Sequence, residues 1–263
     1  MTIQERLKQD FETVESTGVE VLGVFLQGSQ NYNLAYEDSD IDTNAIVLPC
    51  LYNVITAEKP ISYTHVNPDN SHIDVKDIRL MHQCFVKQNI NFLEILFTRY
   101  YYLNPKYADL YKTLVLSKAE EIAHADNYAA VNCIAGMIYE KRKALQHPYP
   151  TLIEKINKFG YDPKQLHHIL RCEEFLNRYI TGEPFADCLI PKYDIEYLID
   201  VKRGIIPVEE AVSMANLSVE HAKRCVENYK LNNPHVVNED VQLQLNLATC
   251  RIIKEYYRGH IND

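Results

Sequence analysis

The sequence predicts an α+β protein: a small mixed β-sheet flanked by helices in the N-terminal part, followed by an all-helical C-terminal domain. Three observations carry this. Every β-type run lies ahead of residue 80, and beyond about residue 105 the apolar positions recur at helical spacing. No Gly/Ser-rich or charged spacer separates the two textures. The expected division is therefore 1–112 and 113–263, packed together, and 263 residues allow each part its own core.

Residues 2–17 read as a helix with Ile3, Leu7, Phe11 and Val14 on one stripe, and Gly18 fits its C-terminal stop. Val19–Gln27 (VEVLGVFLQ) is an apolar run of strand length, the pattern of a strand covered on both faces. A second β-type run spans Asp42–Pro49. Ile61–Val66 and Ser71–Ile78 flank the turn sequence NPDNS and read as a hairpin. Residues 79–98 carry a helical stripe of Leu80, Cys84, Phe85, Phe92, Leu93, Leu96 and Phe97, broken near Asn89–Asn91. Tyr100–Tyr102 reads as interdomain packing. Further helices are expected over 119–146, 162–180, 207–228 and 237–258, with prolines at or near the gaps.

Composition narrows the function classes. Thirty-six acidic residues against 27 basic ones give a net charge of −9, which argues against a nucleic-acid coat protein while allowing a local basic site. Seven cysteines without C-x-x-C spacing point to reduced thiols. The N-terminus MTIQERLKQDFETVE lacks the apolar core of a signal peptide, and no apolar run approaches the ~20 residues of a membrane span. The expectation is a cytoplasmic protein without membrane contact. Ten histidines form no H-x-x-x-H or Cys/His cluster, against a zinc site.

The chemistry concentrates in LQGSQNYNLAYEDSDIDTNAIV. Gly28-Ser29 ends the buried strand, and Asp40 and Asp42 lead into the next. In an extended chain Asp40 and Asp42 point the same way, and two neighbouring carboxylates repel unless a cation such as Mg²⁺ lies between them. Gly28 lets the backbone approach phosphate oxygens, which the Ser29 hydroxyl and nearby amides can bind. In HIDVKDI, alternation turns Ile73 and Val75 to the core and His72, Asp74 and Lys76 the other way. Asp74 is the expected third carboxylate, with Asp77, on the core-side parity, the poorer candidate. Three carboxylates suit two-metal phosphoryl transfer from an NTP, with Mg²⁺ or Mn²⁺ as the ion.

The arrangement resembles the DNA polymerase β-like nucleotidyltransferase superfamily. Closer still, it is similar to the nucleotidyltransferase family associated with bacterial and phage RNA-repair operons. The likeness rests on GSQNYNLAYEDSDID, IDVKDIRLMHQCFVKQNINFLEILF, and FGYDPKQLHHILR followed by LNRYITGEPF; it extends weakly to YLIDVKRGIIPVEEA. These pieces run from about residue 20 to 215 and leave the final helix uncovered. The resemblance implies a catalytic domain at 1–112 with a helical domain completing the cleft. It implies Gly28 and Ser29 as triphosphate contacts and Asp40, Asp42 and Asp74 as catalytic metal ligands. It implies an RNA 3′ end as acceptor; a protein hydroxyl (AMPylation, as in toxin–antitoxin pairs) and a small molecule are rivals, and a non-catalytic NTP-binding module is the alternative class. The chain departs from the family pattern at Asn33, where glycine is more common; Asn tolerates positive φ better than most residues.

In the helical part, Asp162-Pro163 reads as an N-cap with proline at the first helical position. Lys164, His168 and Arg171 then share a face, opposite Leu166, Ile169 and Leu170, with His167 on the flank. Such a cationic stripe suits the phosphates of an NTP or of an acceptor. Glu94, a lone charge in NFLEILF, reads as the structural partner of a buried Arg or Lys. Tyr32 either stacks on a base or packs under its loop.

Overall fold

The chain is an α+β protein, with a mixed β-sheet in its N-terminal part and a helical C-terminal region. The computed structural model describes residues 1–32, 34–35, 39–150, 152–192 and 194–258, so the departure at Asn33 lies outside the described residues. In chain order the first elements are α1 (Ile3–Glu15), β1 (Glu20–Gln27), β2 (Asp42–Leu48), α2 (Leu51–Ile55), β3 (Ser62–Val66), β4 (His72–Asp77), α3 (Ile78–Val86), α4 (Ile90–Leu93), β5 (Tyr101–Leu103), α5 (Ala108–Leu114) and α6 (Ala119–Ala123). Then follow α7 (Asn127–Ala144), α8 (Ile153–Phe159), α9 (Pro163–Ile180), α10 (Phe185–Leu189), α11 (Ile195–Arg203), α12 (Val208–Asn232) and α13 (Glu239–Arg258).

Two compact units emerge, drawn elsewhere than at residue 112. The first gathers Met1–Asn31, Glu37–Ala125 and Val237–Asp263; the second gathers Tyr32–Tyr36 and Asp126–Val236. The helical pattern over 119–146 is interrupted between α6 and α7, where the Asp126 carboxylate caps α7 by accepting from the Ala129 amide at 2.9 Å. The final helix belongs with the sheet, because Val241, Leu245, Ala248 and Ile252 form one buried face and α13 packs on α3, α5 and α6.

Among the described residues of the first unit the sheet has strand order β3-β4-β2-β1-β5. β1 runs antiparallel to β2, with Gln27 opposite Asp42, and β2 runs parallel to β4, with Asn44 opposite Asp74. β3 and β4 form the expected antiparallel hairpin. Alternation sorts the two faces. Val24, Ala45, Val47, Ile73 and Val75 pack under Leu7, Phe11 and Val14 of α1, each of the larger buried side chains contributing about 1.5–3 kcal/mol. Thr2 starts that helix in a reciprocal capping box with Glu5. The opposite face carries Phe25, whose ring meets Tyr101 and Tyr111.

The tyrosine-rich stretch contributes a strand. β5 pairs with β1 through Gly23↔Leu103, and Tyr102 packs edge-on to Phe11 at 5.1 Å. Gly23 makes this pairing possible, since a Cβ there would lie 2.6 Å from Leu103 Cδ2 and 3.1 Å from the Tyr102 carbonyl oxygen. The break between α3 and α4 centres on Gln88, whose φ is 54°; its buried side-chain amide donates to the carbonyls of Phe85 and Ile122.

In the second unit α7, α9 and α12 pack against one another, with α11 and α10 on α9. Much of the motif FGYDPKQLHHILR builds this packing. Gly160 ends α8 at φ 79°, the Tyr161 hydroxyl donates to Ile206 O at 2.8 Å, and Asp162 caps α9. LNRYITGEPF does the same work: the Arg178 guanidinium donates to Glu183 Oε2 and to the carbonyls of Asp187 and Ile190 at 2.7–2.9 Å, fastening α10. No helix among the described residues is long and apolar enough to cross a membrane.

Candidate functional site

The Gly-Ser turn follows directly from the pairing of β1 with β2. β1 stops at Gln27, Gly28 adopts φ 84°, and Ser29–Tyr32 closes a 3₁₀ turn in which the Asn31 amide donates to Gly28 O at 3.0 Å. The Asn31 side chain secures the turn, donating to Leu26 O at 2.9 Å and accepting from the Thr98 hydroxyl at 2.6 Å. The Gly28 amide donates to Glu94 Oε1 at 3.3 Å. Glu94 thus holds the turn, a backbone partner that the expectation of a buried Arg or Lys did not name.

Asp42 opens β2 beside this turn, opposite Gln27. Its Oδ1 accepts from the His72 amide at 2.9 Å, with His72 Nδ1 at 3.4 Å. Asp74 lies on the neighbouring parallel strand and on the same face, with Oδ1 3.0 Å from Lys76 Nζ. Asp40 precedes the strand and is exposed. Asp77, by contrast, is fully buried; it caps α3 through the Arg79 amide and pairs with the Arg79 guanidinium at 2.6 Å, which raises the arginine further above its ordinary range. Among the described residues no three His, Cys, Asp or Glu side chains gather closely enough to form a ready metal cage.

Sequence reasoning missed Asn44. It is fully buried, level with Asp74 and two residues beyond Asp42. Its amide nitrogen donates to Gln27 Oε1 at 2.7 Å, which turns Oδ1 the other way, buried and without a partner among the described residues. An orphaned acceptor of this kind costs about 1–3 kcal/mol unless something donates to it or coordinates it. Together with the two aspartates it makes an all-oxygen donor set, which fits a hard divalent cation in chemistry. No local motif announces Asn44; the signal was the strand period that placed it between Asp42 and Ile46.

Behind Asp42, on the α1 face, a polar knot holds the strand. Thr43 donates to Asp10 Oδ2 at 2.7 Å, Asn67 reaches Asp10 Oδ1 at 3.3 Å and Ser71 Oγ at 3.0 Å, and Arg6 pairs with Asp10 and Asp69. Burial pushes the Asp10 carboxyl up, against the hydrogen bond from Thr43 and the Arg6 charge. This knot joins α1, β2 and the β3–β4 turn, so the start of β2 is held from behind.

The second unit's α9 face differs from a plain cationic stripe. Lys164 is exposed, while the Arg171 guanidinium lies 4.1 Å over the Tyr32 ring. Tyr32, 1% exposed, therefore packs rather than presenting its ring to a base. Burial, with the charges of Arg171 and Lys141 adding to it, holds His168 well below its ordinary pKa, so it brings no positive charge near neutrality. His167 is buried, not flanking; its Nδ1 meets Leu198 O at 2.9 Å and burial lowers it to about 4.

One other constellation in this unit looks catalytic on paper. On α12 and α9, Cys225 Sγ lies 3.3 Å from His221 Nε2, and the same Nε2 lies 2.8 Å from Asn177 Oδ1. One ring nitrogen facing both partners cannot be oriented by the asparagine while taking the thiol proton. Burial and the Glu173 charge also push the Cys225 thiol up, the wrong direction for a nucleophile.

Compared with known proteins, the chain matches no family model and no curated sequence.

Proposed function

We propose that the protein is a Mg²⁺-dependent nucleotidyltransferase that moves a nucleoside monophosphate from an NTP onto an acceptor hydroxyl. One observation supports it above the rest: a glycine-serine turn leaves β1 where Asp42 opens β2, with Asp74 on the same face of the adjoining strand. The reading does not draw on the α9 face.

In this reading the Gly28 conformation swings the chain away at the strand end, so that the half-buried Ser29 hydroxyl meets the triphosphate oxygens. Asp42 and Asp74, with Asp40 and the Asn44 side-chain oxygen, are the residues that would hold the cation. When bound, Mg²⁺ supplies Lewis-acid activation of the hydroxyl and offsets charge on departing pyrophosphate. The acceptor oxygen bonds to the α-phosphorus in line as the bond to pyrophosphate breaks, and the hydroxyl proton passes to solvent. The knot of Thr43, Asp10 and Asn67 keeps Asp42 in place while charge moves.

The resemblance to RNA-repair-associated nucleotidyltransferases favours an RNA 3′ end as acceptor. Transfer of α-labelled NTP, tested separately on RNA, lysate protein and small metabolites, distinguishes the three acceptor classes. Titration calorimetry of NTP·Mg²⁺ and the Asp42→Ala/Asp74→Ala variant complete the test. Absent binding, or transfer unchanged in that variant, sinks the proposal. A second reading, nucleotide binding without transfer, draws on the ion pair that already neutralises Asp74; binding without turnover on any acceptor would favour it.

A further inference from the structure

Lys76 lies on the site face, and the transfer reading gives it no role. Its side chain is only 12% exposed. Nζ lies 3.0 Å from Asp74 Oδ1 and 3.4 Å from Ser62 Oγ, and 4.9 Å from the centroid of the Phe92 ring. Ser62 stands directly opposite Lys76 across the hairpin, and Phe92 comes from α4, so two further elements hold the ammonium where β4 presents it. This is not a solvated surface lysine.

We propose that Lys76 is the resident counter-ion of Asp74, and that by occupying this carboxylate it makes divalent-cation binding depend on the arrival of nucleotide phosphates. The inference rests on the cation reading above and goes beyond it. Asp42 and Asp74 bring two negative charges to this face of the sheet and Lys76 one positive charge, so freeing Asp74 of its ammonium restores the two charges that a single divalent cation neutralises. A cation that takes Asp74 without nucleotide does so beside an ammonium, and like charges at that range repel strongly where water is sparse.

A triphosphate changes the balance. Its oxygens accept from a lysine readily, since the ammonium is compact, carries three donors and rides a flexible stem. Lys76 then leaves Asp74 for phosphate, and the carboxylate becomes available to the cation. Cation and nucleotide thereby promote each other's binding by the same factor, as linkage requires.

The test is Mn²⁺ binding to the full chain, followed by the electron paramagnetic resonance signal of free Mn²⁺ without nucleotide and, with α,β-methylene ATP, as the change beyond a protein-free control holding the same Mn²⁺ and nucleotide. Lys76→Met should bind Mn²⁺ roughly tenfold more tightly than the unaltered protein in the absence of nucleotide, and should lose most of the nucleotide dependence. Lys76→Arg keeps the charge and should stay close to the unaltered protein. In an Asp74→Asn background, Lys76→Met should give no gain, which ties the effect to this pair. Lys76→Gln gives the same readout should the Met variant fail to fold. Unchanged or weaker Mn²⁺ binding in Lys76→Met, or a gain that survives Asp74→Asn, overturns the proposal while leaving the transfer reading standing. No Mn²⁺ binding in any variant, nucleotide present, removes both.

Discussion

Gly28 and Gly23 are both required, for different physical reasons. At Gly28 a Cβ would meet nothing within 4 Å among the described residues, so alanine there costs only the backbone strain of φ 84°, about 1 kcal/mol. At Gly23 the added carbon would press on Leu103 and the Tyr102 carbonyl, a crowding of roughly 2 kcal/mol that loosens β5. Urea denaturation should therefore rank Gly23→Ala below Gly28→Ala; the reverse order would contradict the close approach. Thiol chemistry gives a second residue-scale check. Cys50 and Cys250 are exposed, whereas Cys225 is partly buried, hydrogen-bonded and raised by burial. Iodoacetamide at pH 8, with peptide mapping, should modify Cys50 and Cys250 first. Preferential labelling of Cys225 would reopen it as a nucleophile.

Among elements, α1 depends on one buried carboxylate. Removing Asp10 strips Thr43 and Asn67 of an acceptor and leaves Arg6 buried beside Asp69 alone. Asp10→Ala should cost about 3 kcal/mol in chemical denaturation, and Asp10→Asn clearly less, because the amide oxygen still accepts from Thr43. Equal losses would mean that the charge, which both variants remove, carries the knot, and not the hydrogen bond or the packing that asparagine keeps. The alternation of β4 was legible from sequence: it put Asp74 on the site face and Asp77 on the other, where it proves to be a buried cap. β5 was not legible, because a three-residue strand exists only through its partner; the cue was the glycine inside β1. The local parts of the candidate site, Gly28-Ser29 and Asp40/Asp42, were readable because they lie within one short stretch. Asn44's orphaned oxygen and the Lys76–Asp74 pair depend on cross-strand register, and His168's lost charge depends on what buries it. Periodicity places a residue on a face without setting its charge.

At the scale of the molecule, three histidines make stability depend on pH. Burial lowers His82 to about 3 and His167 to about 4, and holds His168 well below its usual value. The unfolded chain takes up these protons near pH 6.5, while the folded chain does not. Their contribution is thus present above about pH 6.5 and is lost as pH falls toward the folded values. Asp10, raised by burial, acts in the opposite sense in the carboxylate range. Urea midpoints should fall between pH 7 and pH 5, and the ring signals of these three histidines should not titrate near 6.5. A flat stability profile over that interval would contradict their burial.

The covering of α3 by α13 has a consequence in time. His82 of α3 bonds to Thr249, and Val241, Leu245 and Ile252 of α13 are buried in the same unit. During synthesis, α3 leaves the ribosome long before α13, with the whole of Asp126–Val236 translated in between. At ordinary elongation speeds that interval is on the order of ten seconds. The Asp126–Val236 stretch is continuous and can condense meanwhile, but the α13-facing side of the sheet unit stands uncovered throughout. A nascent chain stalled between residues 237 and 250 should therefore be a better chaperone client than the released protein.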